Sequence, residues 1–191
     1  MKRRSLVSMG GGFETPFDML SGCHQRIRMF TDLAQRLAAQ PAPAEEVAEA
    51  ASRLCLYFGT ALPLHEQDEE DTLHRAMQDA RAPGVDAMFA RLRKEHAAIE
   101  NVLDELLPKW DALKSAPDLL AAEKATLARG GEALASAFAP HLDMEESELF
   151  PLARRVLSAD VLAEMLRAMR ARREPVIATL TSLHPTAVRG A

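Results

Sequence analysis

The chain has 191 residues, 48% hydrophobic and 5% aromatic, and carries 28 acidic against 23 basic residues for a net charge of -5. That size and apolar content suit one domain with a sizeable core, the lack of alternating β-type segments points to helices, and scattered Lys and Arg on an acidic chain exclude nucleic acid as a partner. No apolar run could span a bilayer, the basic start lacks the apolar stretch of a signal peptide, and Cys23 and Cys55 form no CxxC pair, so a cytoplasmic chain without membrane association is expected.

Residues 1–14 read as a flexible Gly-rich lead, 15–157 as a bundle of four helices, and 158–191 as a further helix and tail. Thr15-Pro16-Phe17-Asp18 starts the first helix, with Thr15 as N-cap, proline in the first turn where its missing N–H costs nothing, and an acid three residues after the cap. Pro41 and Pro43 end it near Ala39. Its stripe of Leu20, His24, Ile27, Thr31 and Ala34 has helical spacing and puts His24 on the buried face. The second helix runs from about Ala44 to Gln78 and breaks at Ala82-Pro83-Gly84. The third carries Phe89, Leu92, His96, Ile99, Leu103 and Leu106 at alternating spacings of three and four. Pro108 and Pro117 bracket the turn to the fourth, expected from about Asp118 to Leu157 with Leu134, Phe138, His141, Glu145, Leu149 and Leu152 inward. Ser158 or Asp160 caps a fifth helix with Val161, Met165 and Ala168 on one side and arginines on the other. Long amphipathic helices joined by short Pro-bearing turns predict an all-α fold: an antiparallel up-down four-helix bundle with an additional C-terminal helix.

Four of the six histidines fall into a duplicated pattern. His24 is followed 41 residues later by His65 with Glu69, and His96 is followed 45 residues later by His141 with Glu145. Residues i and i+4 differ by about 40° around a helix, with Cβ atoms about 6 Å apart, so each His–Glu pair can reach one centre and the remaining histidine comes from the neighbouring helix. A lone inward histidine is usually a hydrogen-bonded core residue and HxxxE is a common helical ion pair, but two matched copies on four converging stripes outweigh that account. Six imidazole and carboxylate donors without thiolates suit iron, manganese or zinc, with positions left over for a small exogenous ligand.

Around this set, Glu100 shares the face of His96 and is an additional candidate ligand or a hydrogen-bond partner of that histidine. Glu66 lies about 100° from His65 and would need some helix distortion to join. His74 is expected at the surface, pointing away from the set, and Glu70 and Glu146 read as solvated helix charge. Cys23 and Tyr57 read as core, and His184 has no partner pattern. Pro63 and Pro140 precede the paired residues and free the carbonyls of Gly59 and Ser136, which either bend the helices or accept imidazole N–H bonds.

Cys23-His24-x-Arg26-Ile27, Pro63-Leu64-His65-x-x-Asp68-Glu69-Glu70, Glu95-His96 and His141-x-x-x-Glu145-Glu146-x-x-Leu149-Phe150-Pro151 resemble the four signature segments of the hemerythrin-like family, the HHE cation-binding domains. The resemblance covers about Pro16 to Pro151. It implies a four-helix bundle with a non-haem di-iron centre, in which His24, His65, Glu69, His96, His141 and Glu145 hold two iron ions. Oxygen-carrying hemerythrins have a fifth histidine where this chain has Glu100, so an oxidising centre is expected here, and not a reversible carrier. The resemblance implies binding of a small ligand (O2, NO or peroxide) or sensing of iron and oxygen status. Its four-histidine, two-glutamate members imply a second role, repair of iron–sulfur clusters or iron donation under nitrosative or oxidative stress, although such members commonly carry an N-terminal cysteine pair that these residues do not show. An oxidase or peroxidase of the ferritin type would show two ExxH motifs, whereas only Asp71 to His74 approximates one. A non-metal alternative is a helical interaction module that docks a protein partner through the fifth helix, with Met165 and Met169.

Overall fold

The computed structural model describes residues 13–183, with side chains as far as Pro175; most of the expected lead, and His184, lie outside them. Thr15 caps the first helix, α1 (Pro16–Ala39), through a reciprocal box: the Asp18 N–H donates to Thr15 Oγ1 at 3.1 Å and the Thr15 N–H donates to Asp18 Oδ2 at 2.9 Å. The second, α2, is one rod over 44–79, in which α-helical Ala44–Leu56, Leu62–Gln67 and Arg75–Asp79 alternate with π-helical Tyr57–Ala61 and Asp68–His74. Gly84, at φ 73°, makes the turn into α3 (Val85–Ser115) in a left-handed conformation that glycine adopts without a Cβ penalty. A 3-10 turn, Pro117–Leu119, leads into α4 over 120–156, built from α-helical Leu120–Met144, π-helical Glu145–Leu149 and α-helical Phe150–Val156. Ser158 caps α5 (Ala159–Leu183), its hydroxyl accepting the Val161 N–H at 3.4 Å.

Three expectations about the helices need correction. Pro108 does not end α3: the helix continues to Ser115 because Trp110 and Leu113, further along it, are buried, and their burial outweighs the bond lost at an exposed proline. Pro140 likewise sits inside unbroken α-helix, while the π-turn of α4 comes just ahead of Pro151. On α5 the face turned to the bundle is Met165, Leu166, Met169 and Arg173, and Ala168 is exposed. The reason is Asp68 on α2, fully buried and held by Arg173 Nη2 at 2.6 Å and by Arg172, which draws two of the arginines inward.

α1 packs along α4, α2 along α3, α3 along α4 and α1 against α2, closing a four-helix bundle on which α5 lies against α1 and the second π-turn of α2. The core has two apolar layers. One holds Ile27, Phe58, Leu62, Ile99, Trp110, Phe138 and Leu142; the other holds Leu20, Leu73, Phe89, Leu92, Met144, Leu149 and Met169. Each fully buried side chain of this kind stabilises the fold by roughly 1.5–3 kcal/mol. Every helix of the four crosses from one layer to the other, between Leu20 and Ile27, Leu62 and Leu73, Leu92 and Ile99, and Phe138 and Leu149. The histidines and glutamates of the duplicated pattern occupy that crossing. Among the described residues, no helix is long and apolar enough to cross a membrane.

Candidate metal centre

His24, His65, Glu69, His96, His141 and Glu145 are all buried, with exposures between 0% and 7%. They form two groups that share the glutamates: His24 and His65 with Glu69 and Glu145, and His96 and His141 with the same pair, each group with its donor atoms within 4.8 Å of one another. Each carboxylate splits its oxygens between the groups. Glu69 turns Oε1 to His65 Nε2 at 3.3 Å and Oε2 to His96 Nε2 at 3.4 Å. Glu145 turns Oε2 to His24 Nε2 at 3.1 Å and Oε1 to His141 Nε2 at 3.3 Å.

A closed polar network would satisfy these atoms, and this one does not. His24 Nε2, His65 Nε2, His96 Nε2 and all four oxygens of Glu69 and Glu145 are buried without a hydrogen-bond partner. Such orphans cost on the order of 1–3 kcal/mol each, and they face one another at spacings near the about 3 Å that separates adjacent donors each about 2.1 Å from one ion. The donor set therefore fits a metal cation.

Electrostatics point the same way. Burial, with His24 and His96 close by, holds His65 well below the ordinary histidine value, and burial with His141 beside it brings His96 down to about 4. Burial and the neighbouring Glu145 charge push Glu69 far above the carboxylate range. Burial thus favours the neutral, lone-pair-bearing form of these imidazoles, and a cation beside Glu69 would offset the burial that holds its carboxyl up.

Two carboxylates that sequence reasoning left aside orient the imidazoles. His24 Nδ1 donates to Glu146 Oε1 at 2.8 Å, and His141 Nδ1 donates to Glu95 Oε2 at 3.0 Å. A carboxylate only accepts, so Nδ1 carries the proton and Nε2 presents its lone pair to the cluster. Arg28 grips Glu146 through both oxygens at 2.9 Å, and this pairing, with His24, holds its carboxyl below the usual range despite burial. Burial opposes the same shift in Glu95, but hydrogen bonds from Arg91 and His141 win and lower it. Glu146 is exposed, as expected of solvated helix charge, but it also meets His24: it lies in the π-turn Glu145–Leu149, whose wider winding turns it to α1. The matching π-turn carries Glu70 differently, against Arg93 at 3.2 Å and near His74. His74 itself is only partly exposed, its ring stacked on Phe89 with centroids 4.1 Å apart, so it is no plain surface residue although it stays off the cluster. The imidazole N–H groups of His24 and His141 go to carboxylates and not to the carbonyls of Gly59 and Ser136, and His65 Nδ1 has no partner.

Glu66 and Glu100 are in neither group. Both line a cavity that also reaches His96, Glu100 exposed and Glu66 half-buried, where burial and then the Glu100 charge raise Glu66 to about 7. Tyr57 is buried, donates to the Cys23 carbonyl at 3.3 Å and stacks on Phe30. Cys23 is buried beside Arg173 and Arg26.

Residues 15–153 match the model of the hemerythrin HHE cation binding domain. The chain belongs to this family. The hemerythrin HHE match spans all four helices that deliver the cluster, α1 to α4, and leaves α5 outside. Over 167 residues the chain is 28% identical to an uncharacterized protein of Haemophilus influenzae, covering 83% of this chain and 90% of the relative. No solved structure matches the chain. Family and buried donor cluster together make this a metal-binding domain.

Proposed function

We propose that the protein is a non-haem di-iron protein, holding two iron ions through His24, His65, Glu69, His96, His141 and Glu145, that binds a small ligand such as O2, NO or peroxide. The observation that carries this reading is the division of each carboxylate between two histidine pairs, which would offer each of two ions two imidazoles and one oxygen from each glutamate. Bound iron supplies redox change and open coordination positions for the ligand. The chain supplies the rest. Glu146 and Glu95 fix two imidazole tautomers, Glu69 and Glu145 offer carboxylate oxygens to both histidine pairs, and the apolar layers on either side exclude bulk water. Manganese and zinc suit the same donors, so metal content is the first measurement.

Purified protein is expected to hold two iron ions per chain, with a ferric optical spectrum after aerobic preparation. His24→Ala, His96→Ala and His141→Ala should each lose at least one ion. Normal loading in all three variants, or stoichiometric zinc in the native chain, would overturn the reading. With Glu100 where carriers have a fifth histidine, the reduced protein should pass in air to a stable diferric state; reversible oxygenation recovered by degassing would favour a carrier instead. Donation of iron to damaged clusters is a second use of the same site, and the cavity that reaches His96 favours it by giving the metal a way out.

A further inference from the structure

We propose that Glu66 and Glu100 form a cation-selective entrance through which divalent metal ions reach the six-residue cluster from the His96 side. This rests on the metal-binding reading above. His96 is the most exposed of the six, at 7% against 0–1% for the others, and it is the only one of them in the lining of a cavity of about 540 Å³ that opens to solvent between α2 and α3. Glu66, Glu70, Asp71, Glu100 and Arg93 supply the charge of that lining.

Two of the four acids are already neutralised, Glu70 by Arg93 at 3.2 Å and Asp71 by Arg75 at 2.9 Å. Glu66 and Glu100 have no ion-pair partner among the described residues, and Glu66 Oε1 is buried with no hydrogen bond at all. The contrast with the other carboxylates around the cluster is informative. Glu95 is capped by Arg91 at 2.7 Å and Glu146 by Arg28 at 2.9 Å, so those flanks present neutral pairs, while the remaining approaches run through the apolar layers. Among the described residues, the His96 side combines an opening with two carboxylates that no cation pairs. A cleft of one sign with low-dielectric walls concentrates counter-ions and raises their arrival rate by about 10–1,000-fold. Hard carboxylate oxygens also replace the waters a divalent ion must shed before it meets imidazole. The same field disfavours anions, so an anionic ligand enters more slowly than a neutral one of equal size.

The test is the rate at which chelator-stripped native chain takes up Co²⁺, followed by its absorption on rapid mixing, beside Glu66→Gln, Glu100→Gln and the double variant. Glu132→Gln is the control: exposed, of equal charge change, and about 13 Å along α4 from His141. The double variant is expected to load about tenfold or more slowly at low ionic strength and to finish at the native two ions per chain, with the control close to native. High salt should slow the native chain and erase the difference, a readout that needs no variant to fold. Native-rate loading in the double variant, or salt-independent loading in the native chain, overturns the entrance. A final stoichiometry below native in the double variant also overturns it, because Glu66 or Glu100 would then be a ligand. If the native chain takes up no ions, it is the metal-binding reading that falls.

Discussion

His24 and His141 each point one nitrogen at the cluster and hand the other to a carboxylate, and this second contact decides how well the first can work. Without it the imidazole can take either tautomer and turn about its bonds, so part of the binding free energy goes to ordering it. Glu146→Gln and Glu95→Gln keep an acceptor but lose the charge, and each should weaken metal retention by about 10–100-fold in competition with a chelator. Retention unchanged in both variants would show these contacts to be incidental. Both residues were open to a closer reading of the sequence, because Glu95 immediately precedes His96 and Glu146 immediately follows Glu145. Angle arithmetic on a regular helix sent Glu146 off the line of the cluster, and the π-turn it sits in was invisible to that arithmetic.

At the scale of elements, the three π-turns show what local pattern misses. Leu62 donates its N–H to the carbonyl of Tyr57, and Phe150 donates to Glu145, each five residues back and each immediately before a proline, Pro63 and Pro151, that has no N–H to give. The third π-turn, Asp68–His74, has no proline after it and instead carries Asp68, buried under α5. Burial raises the Asp68 carboxyl, against the pull of Arg173 and Arg172. Breaking a buried ion pair from one side leaves an uncompensated charge, so Arg173→Met should cost about 3–5 kcal/mol in urea unfolding. The same variant tests whether α5 steadies the neighbouring Glu69: metal retention should fall with stability. Native stability in this variant would mean that Arg172 alone satisfies Asp68.

For the whole molecule, a polar layer between two apolar ones makes folding and metal binding a single equilibrium. Iron present at about 1,000 times its dissociation constant adds about 4 kcal/mol, so chelation should lower the melting temperature by about 10 °C in a chain of this size. Equal melting of loaded and stripped protein would mark the cluster as an ordinary polar network. The stripped chain should also be acid-sensitive. His96 titrates at about 4 in the fold against about 6.5 unfolded, so between those values the unfolded chain binds the proton and the folded one does not. Its contribution is therefore complete above pH 6.5 and is lost as pH falls toward 4, about 3 kcal/mol in all, and His96→Gln should flatten that part of the stability profile. Glu69, shifted upward, works the other way: the fold retains its proton as pH rises above the ordinary carboxylate range, so its stripped form loses stability there and metal uptake releases protons.

The helical stripes, the Thr15 cap, the glycine turn at Gly84 and the meeting of six residues from two sequence repeats were all legible in the chain, because each follows from periodicity or from the chemistry of one residue and its near neighbours. Helix ends at proline were less so: Pro108 is a breaker in sequence and an interior residue in the fold, since Trp110 and Leu113 have a core to enter. What tertiary structure alone decided are contacts between residues far apart in the chain. Glu146 meets His24 across 122 residues, Glu95 meets His141 across 46, and Arg172 reaches Asp68 across 104. No periodicity encodes such pairs, because they depend on the rotation of one helix against another, and a π-turn changes that rotation by inserting one residue into the winding without changing the pattern that announces the helix.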